Sequence, residues 1–559
     1  MARARLQGGP VSEEARGPRA APAAGGPERV PVTVYDTTLR DGTQRENLSL
    51  SAEDKLRICR RLDDLGVQFV EGGFPGSNPK DMEFFERARD ELELSTAVLT
   101  AFGATRHKSN SPEDDPMLRA LLDVGTPAVC VFGKAWTVHV TETLRATLEE
   151  NVRMVADSVD HLKAAGRTVF FDAEHFFDGY KHDAGYAMEV CRAAAQSGAE
   201  VVVLCDTNGG TLPHEVTGIV AEVRERLDVE GLRVPLGMHA HDDAGCAVAN
   251  SLVAVDAGCV HVQGTMNGYG ERAGNADLTA IIPALELKMG RRVIGRERLK
   301  LLTEVSHFVA EVANISPDPH QPYVGASAFA HKGGVHAAAA ARLPEAYEHA
   351  DPSAVGNLAR VVVSELAGRA SLSMKAAELG IDVEGDAETV GRVLDRIKEL
   401  EHRGYSFEAA DGTLEVMLRK ELGTYQPFFT LESFRCIMEK REDGRVMTEA
   451  TIKLHVGGHR YIATAEGNGP VNALDRALRL AIERFYPELA SIELTDYKVR
   501  VLDEKKGTAA VTRVLIESTD REKSWGTVGL SENIIEASWE ALVDSVDYGL
   551  SHPREPEKG

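Results

Sequence analysis

Two imidazoles separated by a single residue, His239 and His241, followed at once by Asp242, Asp243 and Gly245, are the part of this chain whose residue types and spacing point most directly to chemistry. They follow the apolar lead-in Leu232 to Pro235 and precede a helix-like run from Cys246 to Val255, so the pair falls where a strand ends and a loop begins. Side chains two apart on a strand share a face, which aims both rings at one point. That suits a metal ion, although the same spacing also serves two buried, hydrogen-bonded core histidines. Near the start of the chain Arg40 and Asp41 set a permanently charged guanidinium beside a carboxylate. Such a pair supplies a metal ligand and a stabiliser for a carbonyl or enolate oxygen, or is a plain surface ion pair. Further along, Asp172, Glu174, His175 and Asp178 form one polar cluster, and Asp206, Thr207 and Asn208 another. Their carboxylates are candidates for proton transfer and equally for solvated loops. The stretch Gly264 to Asn275 is rich in glycine without a phosphate-binding G-x-x-x-x-G-K pattern, and its glycines would let backbone approach a ligand or loop closely.

Each cluster follows a short apolar run. Such runs occur at Val32 to Tyr35, Val67 to Val70, Ser95 to Thr100, Ala128 to Phe132, Thr168 to Phe171, Val201 to Leu204, Val234 to Met238 and Val260 to Gln263, in most cases followed by a helical pattern. The run Ala52 to Leu65 places Leu56, Cys59 and Leu62 on one helical face behind Ser51 as N-cap, with Asp54 three residues on. Thr143 to Ala165 reads as another helix, stopped by Gly166. Eight βα units predict a TIM (β/α)8 barrel, and the span from Val32 to about Leu287 fits the roughly 250 residues such a barrel needs. The alternative is an open doubly wound sheet, whose first and last strands do not pair. Barrel enzymes do their chemistry at the C-terminal ends of the strands, where these clusters fall. One Asp and two His would leave coordination positions for water and a bidentate 2-oxo acid on Mg, Mn, Co or Zn.

Composition sets outer limits. The chain has 559 residues, 43% of them hydrophobic, enough for several domains with their own cores. With 87 acidic against 63 basic residues and a net charge of -24, nucleic acid and anionic membrane are excluded as principal partners. Seven cysteines, odd in number and lacking any C-x-x-C, read as reduced thiols of a cytoplasmic protein. No apolar stretch reaches the roughly 18 to 20 residues of a membrane span. Residues 1–30, rich in Ala, Gly, Pro and Arg, read as a disordered tail, with the barrel domain over 31–295.

Beyond the barrel, Arg296 to about Ala313 reads as helix, Asn314 to Val355 is rich in Pro, Gly and His, and Met374 to about Arg403 carries charge-patterned helical runs; together 296–410 forms helical linker subdomains. From 411 to 548 the pattern is α+β. Strands at Phe434 to Lys440 and Ala450 to Val456 precede a helix from Val471 to Phe485, and strands at Ile492 to Leu502, Ala509 to Glu517 and Gly526 to Gly529 precede a helix from about Asn533 to Val546. The similar helix starts suggest a duplicated βββα unit, followed by a tail over 549–559. Gly467, Asn468 and Gly469 lead into Pro470, a good first helical residue, and free backbone N–H groups there could bind a carboxylate or belong to a plain dimerisation module.

Leu39 to Gln44 with Lys55, taken with Leu236 to Gly245, resembles the paired signatures of the isopropylmalate, homocitrate and citramalate synthase family. Gly72 to Lys80, Asp172 to Lys181, Gln321 to Gly325 and His331 to His336 are similar to its long citramalate-forming members. The resemblance implies a Claisen-type condensation of acetyl-CoA with pyruvate and water to (R)-citramalate and CoA, a step toward isoleucine, with 3-methyl-2-oxobutanoate as the alternative acceptor. It also implies Asp41, His239 and His241 as metal ligands with Asn275 completing or bordering the shell. Arg40 would neutralise the keto oxygen, Thr207 would contact the substrate carboxylate, and Glu174 would do acid or base work at the acetyl group. His336 would be delivered over the barrel mouth by the partner subunit of a homodimer, paired with Tyr347; Ala338 stands where related synthases carry an acidic residue. A C-terminal regulatory domain binding isoleucine is implied as well. A carbon–carbon lyase on the same barrel is the alternative of another class, but related lyases carry a cysteine in the loop after the eighth strand and none lies between Gly264 and Asn275.

Overall fold

The computed structural model describes residues 30–331, 339, 343, 346–363, 368–383, 387–502, 509–521 and 523–552. Eight parallel strands form one closed barrel: β1 (Thr33–Asp36), β2 (Phe69–Gly73), β3 (Val98–Ala104), β4 (Ala128–Lys134), β5 (Thr168–Glu174), β6 (Val201–Asp206), β7 (Leu236–Ala240) and β8 (His261–Gly264). β8 pairs back onto β1 over Thr33↔His261 to Asp36↔Gly264, which rules out the open sheet. The interior is packed with Tyr35, Phe102, Cys130, Phe170, Val203 and Cys205, so the barrel is a core and not a pore. β6 is buried along its whole length, as expected of a parallel strand covered on both faces.

The helix Ala52–Leu65 forms as its periodicity predicts. Asp54 N–H donates to Ser51 Oγ at 3.2 Å, and Ser51 N–H donates to Asp54 Oδ2 at 2.9 Å, a reciprocal cap that satisfies two of the helix's free donors. The second predicted helix is shorter than its apolar pattern. It spans Leu148–Ala164, because Arg145 sits at φ 52° and Thr147 caps the new start by accepting from Glu150 N–H. Arg296 to Ala313 likewise divides into Arg296–Leu299 and Leu302–Val312.

The chain divides into two compact units, one running to Ala328 with Pro352–Leu358, the other comprising Phe329–Asp351 and the chain from Ala359 on. In the second unit the helices Arg369–Glu378, Ala387–Arg403 and Asp411–Glu421 share a core of Leu372, Val393, Ile397, Leu414 and Leu418. Two three-stranded antiparallel sheets follow. Thr430–Lys440, Val446–Val456 and His459–Gly467 precede the helix Pro470–Ile482; Glu493–Val501, Thr512–Thr519 and Ser524–Ser531 precede Ile534–Ser551. This is the duplicated βββα arrangement with one strand, His459–Gly467, added to the first round. That strand turns Tyr461, Ala463 and Ala465 toward the core but leaves Ile462 exposed, so its apolar residues fall on both faces and blur the alternation. The last helix runs to Ser551, beyond the expected end near Val546.

Candidate metal centre

The turn after β1 is tied to the loop after β8. Asp36 accepts from Thr38 N–H and Oγ1–H at 2.8 and 2.9 Å, Thr38 Oγ1 accepts from Met266 N–H at 2.8 Å, and Thr37 N–H donates to Gly264 O. Arg40 and Asp41 therefore leave the barrel rim at a fixed angle, beside the strand end that carries His239. Asn275 is drawn to the same place by a bridge to His241, and Ala276 N–H donates to Ala240 O. The Asn275 amide packs so closely on Gly270 that a Cβ there would lie 2.2 Å from Nδ2. Only glycine fits.

At this rim Asp41, His239 and His241, all buried, bring one possible ligand atom each to within 4.8 Å of one another. His239 Nε2 lies 3.4 Å from Asp41 Oδ2 and 3.2 Å from His241 Nε2. Burial drives both imidazoles toward the neutral form, His241 down to about 3, where the neighbouring His239 also disfavours charge. Burial alone would raise Asp41; the charged groups around it, the Arg40 guanidinium foremost, together outweigh burial and hold the carboxyl below its ordinary value. His239 Nδ1 is 2.9 Å from Gln263 Oε1, an acceptor, so its proton sits on Nδ1 and its Nε2 lone pair faces the carboxylate. Two imidazole nitrogens and a carboxylate oxygen thus converge on one point, an arrangement that a divalent cation can satisfy. Asn275 Oδ1, buried and without a hydrogen-bond partner among the described residues, adds another donor of the same kind. The donor set fits Mg, Mn, Co or Zn.

Arg40 is held from three sides. Its Nη1 pairs with Asp41 at 3.0 Å, its Nε donates to Glu71 Oε1 at 2.5 Å, and its guanidinium carbon lies 3.7 Å from the centre of the Phe102 ring. Burial works against the charge, but Asp41 and Glu71 more than offset it, so Arg40 stays cationic. Glu71 also accepts from Tyr35 OH at 2.6 Å. Around the rim, the β5 residue Glu174 pairs with Lys134 at the end of β4. Thr207 Oγ1 accepts from His175 N–H at 2.8 Å, and Arg272 donates to Thr207 O and Asp243, joining the loops after β6, β7 and β8. Burial depresses His175 to about 4, with His139 and Lys134 adding to the effect.

Arg40, Asp41, Glu174, Thr207, His239, His241 and Asn275 thus all lie at the C-terminal strand ends or in the loops that follow them. His336 lies outside the described residues; Tyr347 is exposed and belongs to the second unit. Gly469 stands at the start of the helix Pro470–Ile482, and Asn468 N–H is taken up by Asn472 Oδ1 at 3.2 Å. Glu71, Gln263, Phe102 and Lys134 were not singled out in the sequence. Each lies within an apolar or glycine-containing strand, and only the folded register brings it against a flagged residue.

A model of the HMGL-like family matches residues 31–309, one described as homocitrate synthase post-HMGL domain-like matches 323–405, and one of the LeuA allosteric (dimerisation) domain matches 408–550. The (R)-citramalate synthase of Streptomyces coelicolor is 55% identical over 92% of this chain and 96% of its own length. The chain belongs to the isopropylmalate, homocitrate and citramalate synthase family. Within the family, the (R)-citramalate synthase of Geobacter sulfurreducens is 52% identical over 94% of this chain and 99% of its own, whereas a 2-isopropylmalate synthase of Methanocaldococcus jannaschii is 29% identical over 94% and 95%. Among the described residues no helix is long and apolar enough to cross a membrane.

Proposed function

We propose that this protein condenses acetyl-CoA with pyruvate and water to give (R)-citramalate and CoA, in the cytoplasm and on the way to isoleucine. The observation that carries the proposal is the convergence of Asp41, His239 and His241 beside Arg40 at the rim of a barrel whose sequence is 55% identical to an (R)-citramalate synthase. Asp41, His239 and His241 would hold a divalent cation, with Asn275 at the edge of its shell. When bound, the cation supplies Lewis-acid polarisation of the 2-oxo acid.

The chain's own residues do the rest. Arg40, fixed by Glu71 and Asp41, meets the keto oxygen as it gains negative charge, a role that needs a donor held in place before the reaction begins. Thr207 binds the substrate carboxylate. Glu174 takes the weakly acidic acetyl proton, with the Lys134 ammonium paired to it at the rim. Pyruvate is favoured over 3-methyl-2-oxobutanoate by the higher identity to an (R)-citramalate synthase, 55% against 29% for a 2-isopropylmalate synthase, and the rings beside Arg40, Phe102 stacked on Phe132 at 5.4 Å and edge-on to Phe74 at 5.5 Å, are the proposed wall against the acceptor's alkyl group. A lyase is disfavoured by the cysteine-free loop after β8.

The match to a dimerisation domain supports a homodimer, in which His336, with Tyr347, is contributed across the subunit boundary. Isoleucine is the proposed effector, its carboxylate received at the turn Gly467, Asn468 and Gly469, where it would displace the Asn472 side chain from the Asn468 N–H. The test is thiol release from acetyl-CoA with a panel of 2-oxo acids, with and without chelator and isoleucine. Pyruvate as the preferred acceptor and loss of activity with chelator are expected. Preference for 3-methyl-2-oxobutanoate would overturn the substrate, and undiminished activity of Asp41→Ala would overturn the metal ligands.

A further inference from the structure

We propose that Gln263 is a positioning residue for the metal centre: its amide, pinned by Asp172, decides which nitrogen of His239 carries the proton and so presents His239 Nε2 to a cation as a bare lone pair. This rests on the assignment of Asp41, His239 and His241 as metal ligands.

A glutamine amide has one donating end and one accepting end. Gln263 Nε2 donates to Asp172 Oδ1 at 2.9 Å, and its Oε1 therefore faces His239 Nδ1, also at 2.9 Å. Turned the other way, the amide would set its oxygen against a carboxylate oxygen and its N–H against Nδ1. The ring proton would then move to Nε2, 3.4 Å from Asp41, where it would block coordination. All three side chains are buried, Gln263 completely, so no bulk water stands in for either partner. The tie also depends on the closed barrel. Gln263 lies opposite His239 in the β7–β8 register, while Asp172 comes from β5 across the interior. His241 has no comparable fixture, for its Nδ1 is buried without a hydrogen-bond partner among the described residues. One imidazole of the pair is therefore set in advance by the protein, and the other is left to adjust to the ion.

Partners of this kind on a ligating histidine change metal affinity roughly 10- to 100-fold when removed. The test is titration of the full-length apo protein with Mn2+, following free Mn2+ by electron paramagnetic resonance, for wild type, Gln263→Met, Gln263→Glu and Asp172→Asn. Circular dichroism and thermal unfolding in chelator report the fold. Gln263→Met, which fills the space but neither accepts nor donates, is expected to bind Mn2+ roughly 10- to 100-fold more weakly while remaining folded. Gln263→Glu, whose carboxyl still accepts from Nδ1–H, should recover most of that loss. Asp172→Asn, which lets Gln263 turn either way, should fall between wild type and Gln263→Met. A folded Gln263→Met with wild-type Mn2+ affinity overturns the inference, because Gln263 would then only satisfy core polar groups. If Gln263→Met does not fold, wild-type affinity in Asp172→Asn overturns it in the same way. Absence of Mn2+ binding in the wild type removes the metal centre itself and this inference with it.

Discussion

Replacing Glu71 by Gln is expected to lower catalysis without weakening the fold. In the native protein the fully buried Glu71 carboxylate takes the Arg40 Nε–H at 2.5 Å and the Tyr35 OH at 2.6 Å, while Asp41 takes Arg40 Nη1 at 3.0 Å. One guanidinium thus faces two carboxylates. Burial holds Glu71 above its ordinary value, so at neutral pH its ionised form costs folding energy. Glutamine keeps a neutral acceptor for Nε–H and leaves a balanced Arg40–Asp41 pair, so the unfolding midpoint at pH 7 should hold or rise. For catalysis two effects compete. Losing a negative charge exposes more of the Arg40 charge to a developing alkoxide, but it also replaces an ion pair by a weaker hydrogen bond to a neutral acceptor. Bonds to charged groups contribute about 1.5–3 kcal/mol and ordinary ones about 0.5–1.5 kcal/mol, so about 1–1.5 kcal/mol of the energy orienting Arg40 is lost. The guanidinium is then free to swing toward Asp41, and misalignment at a reacting centre outweighs the modest gain in charge. At 1.36 kcal/mol per factor of ten, kcat/KM should fall about tenfold. Thiol release at several pyruvate concentrations, with thermal unfolding on the same samples, checks both halves. Unchanged or raised kcat/KM would show that Glu71 restrains Arg40's charge and does not anchor its geometry.

Two further outcomes follow from the same structure. Phe102→Ala removes the ring beneath Arg40 and opens the aromatic wall shared with Phe74 and Phe132, so the ratio of kcat/KM for 3-methyl-2-oxobutanoate to that for pyruvate should rise about 10-fold or more, since one or two methylene groups in such a pocket are worth about 1–3 kcal/mol; an unchanged ratio would place the selectivity elsewhere. Burial raises Asp36 from 3.8 to about 7 against the opposing Thr38 hydrogen bonds, so between those pH values the unfolded chain releases a proton that the folded protein keeps. Its contribution to stability therefore falls as pH rises through that window and levels off above it, and Asp36→Asn should flatten this part of a thermal-unfolding pH series.

Much of the barrel was legible because parallel strands buried on both faces are written as apolar runs, and turn chemistry marks where they stop. Val201 to Leu204 and Ala128 to Phe132 fall inside the observed β6 and β4, and Ser51 with Asp54 marks the start of its helix. Where the pattern misled, local backbone prevailed: Arg145 in the left-handed region ends the helical run that apolar spacing carries back to Thr143. The strand His459–Gly467 went unmarked because its inward residues, Tyr461, Ala463 and Ala465, are interleaved with the exposed apolar Ile462, which blurs the period of two.

The candidate site divides along the same line. Arg40, Asp41, His239 and His241 could be named from the sequence, because metal-ligating and charged types stand out at strand ends and two histidines two apart share a face whatever the fold. That Asp41 meets them required closure, since only the pairing of β8 with β1 brings the first strand's turn to the seventh strand's end. The supporting residues were decided by tertiary structure alone. Glu71, Gln263 and Phe102 sit in strands whose residue types fit a barrel interior as readily as a site, and Asp172 is one carboxylate among several. Their roles come from hydrogen bonds 31, 24 and 91 residues apart in sequence, Arg40 to Glu71, His239 to Gln263 and Gln263 to Asp172. Sequence determines which side chains can ligate or carry charge; the register of a closed barrel determines which of them face one another, and so which nitrogen of His239 is free to bind.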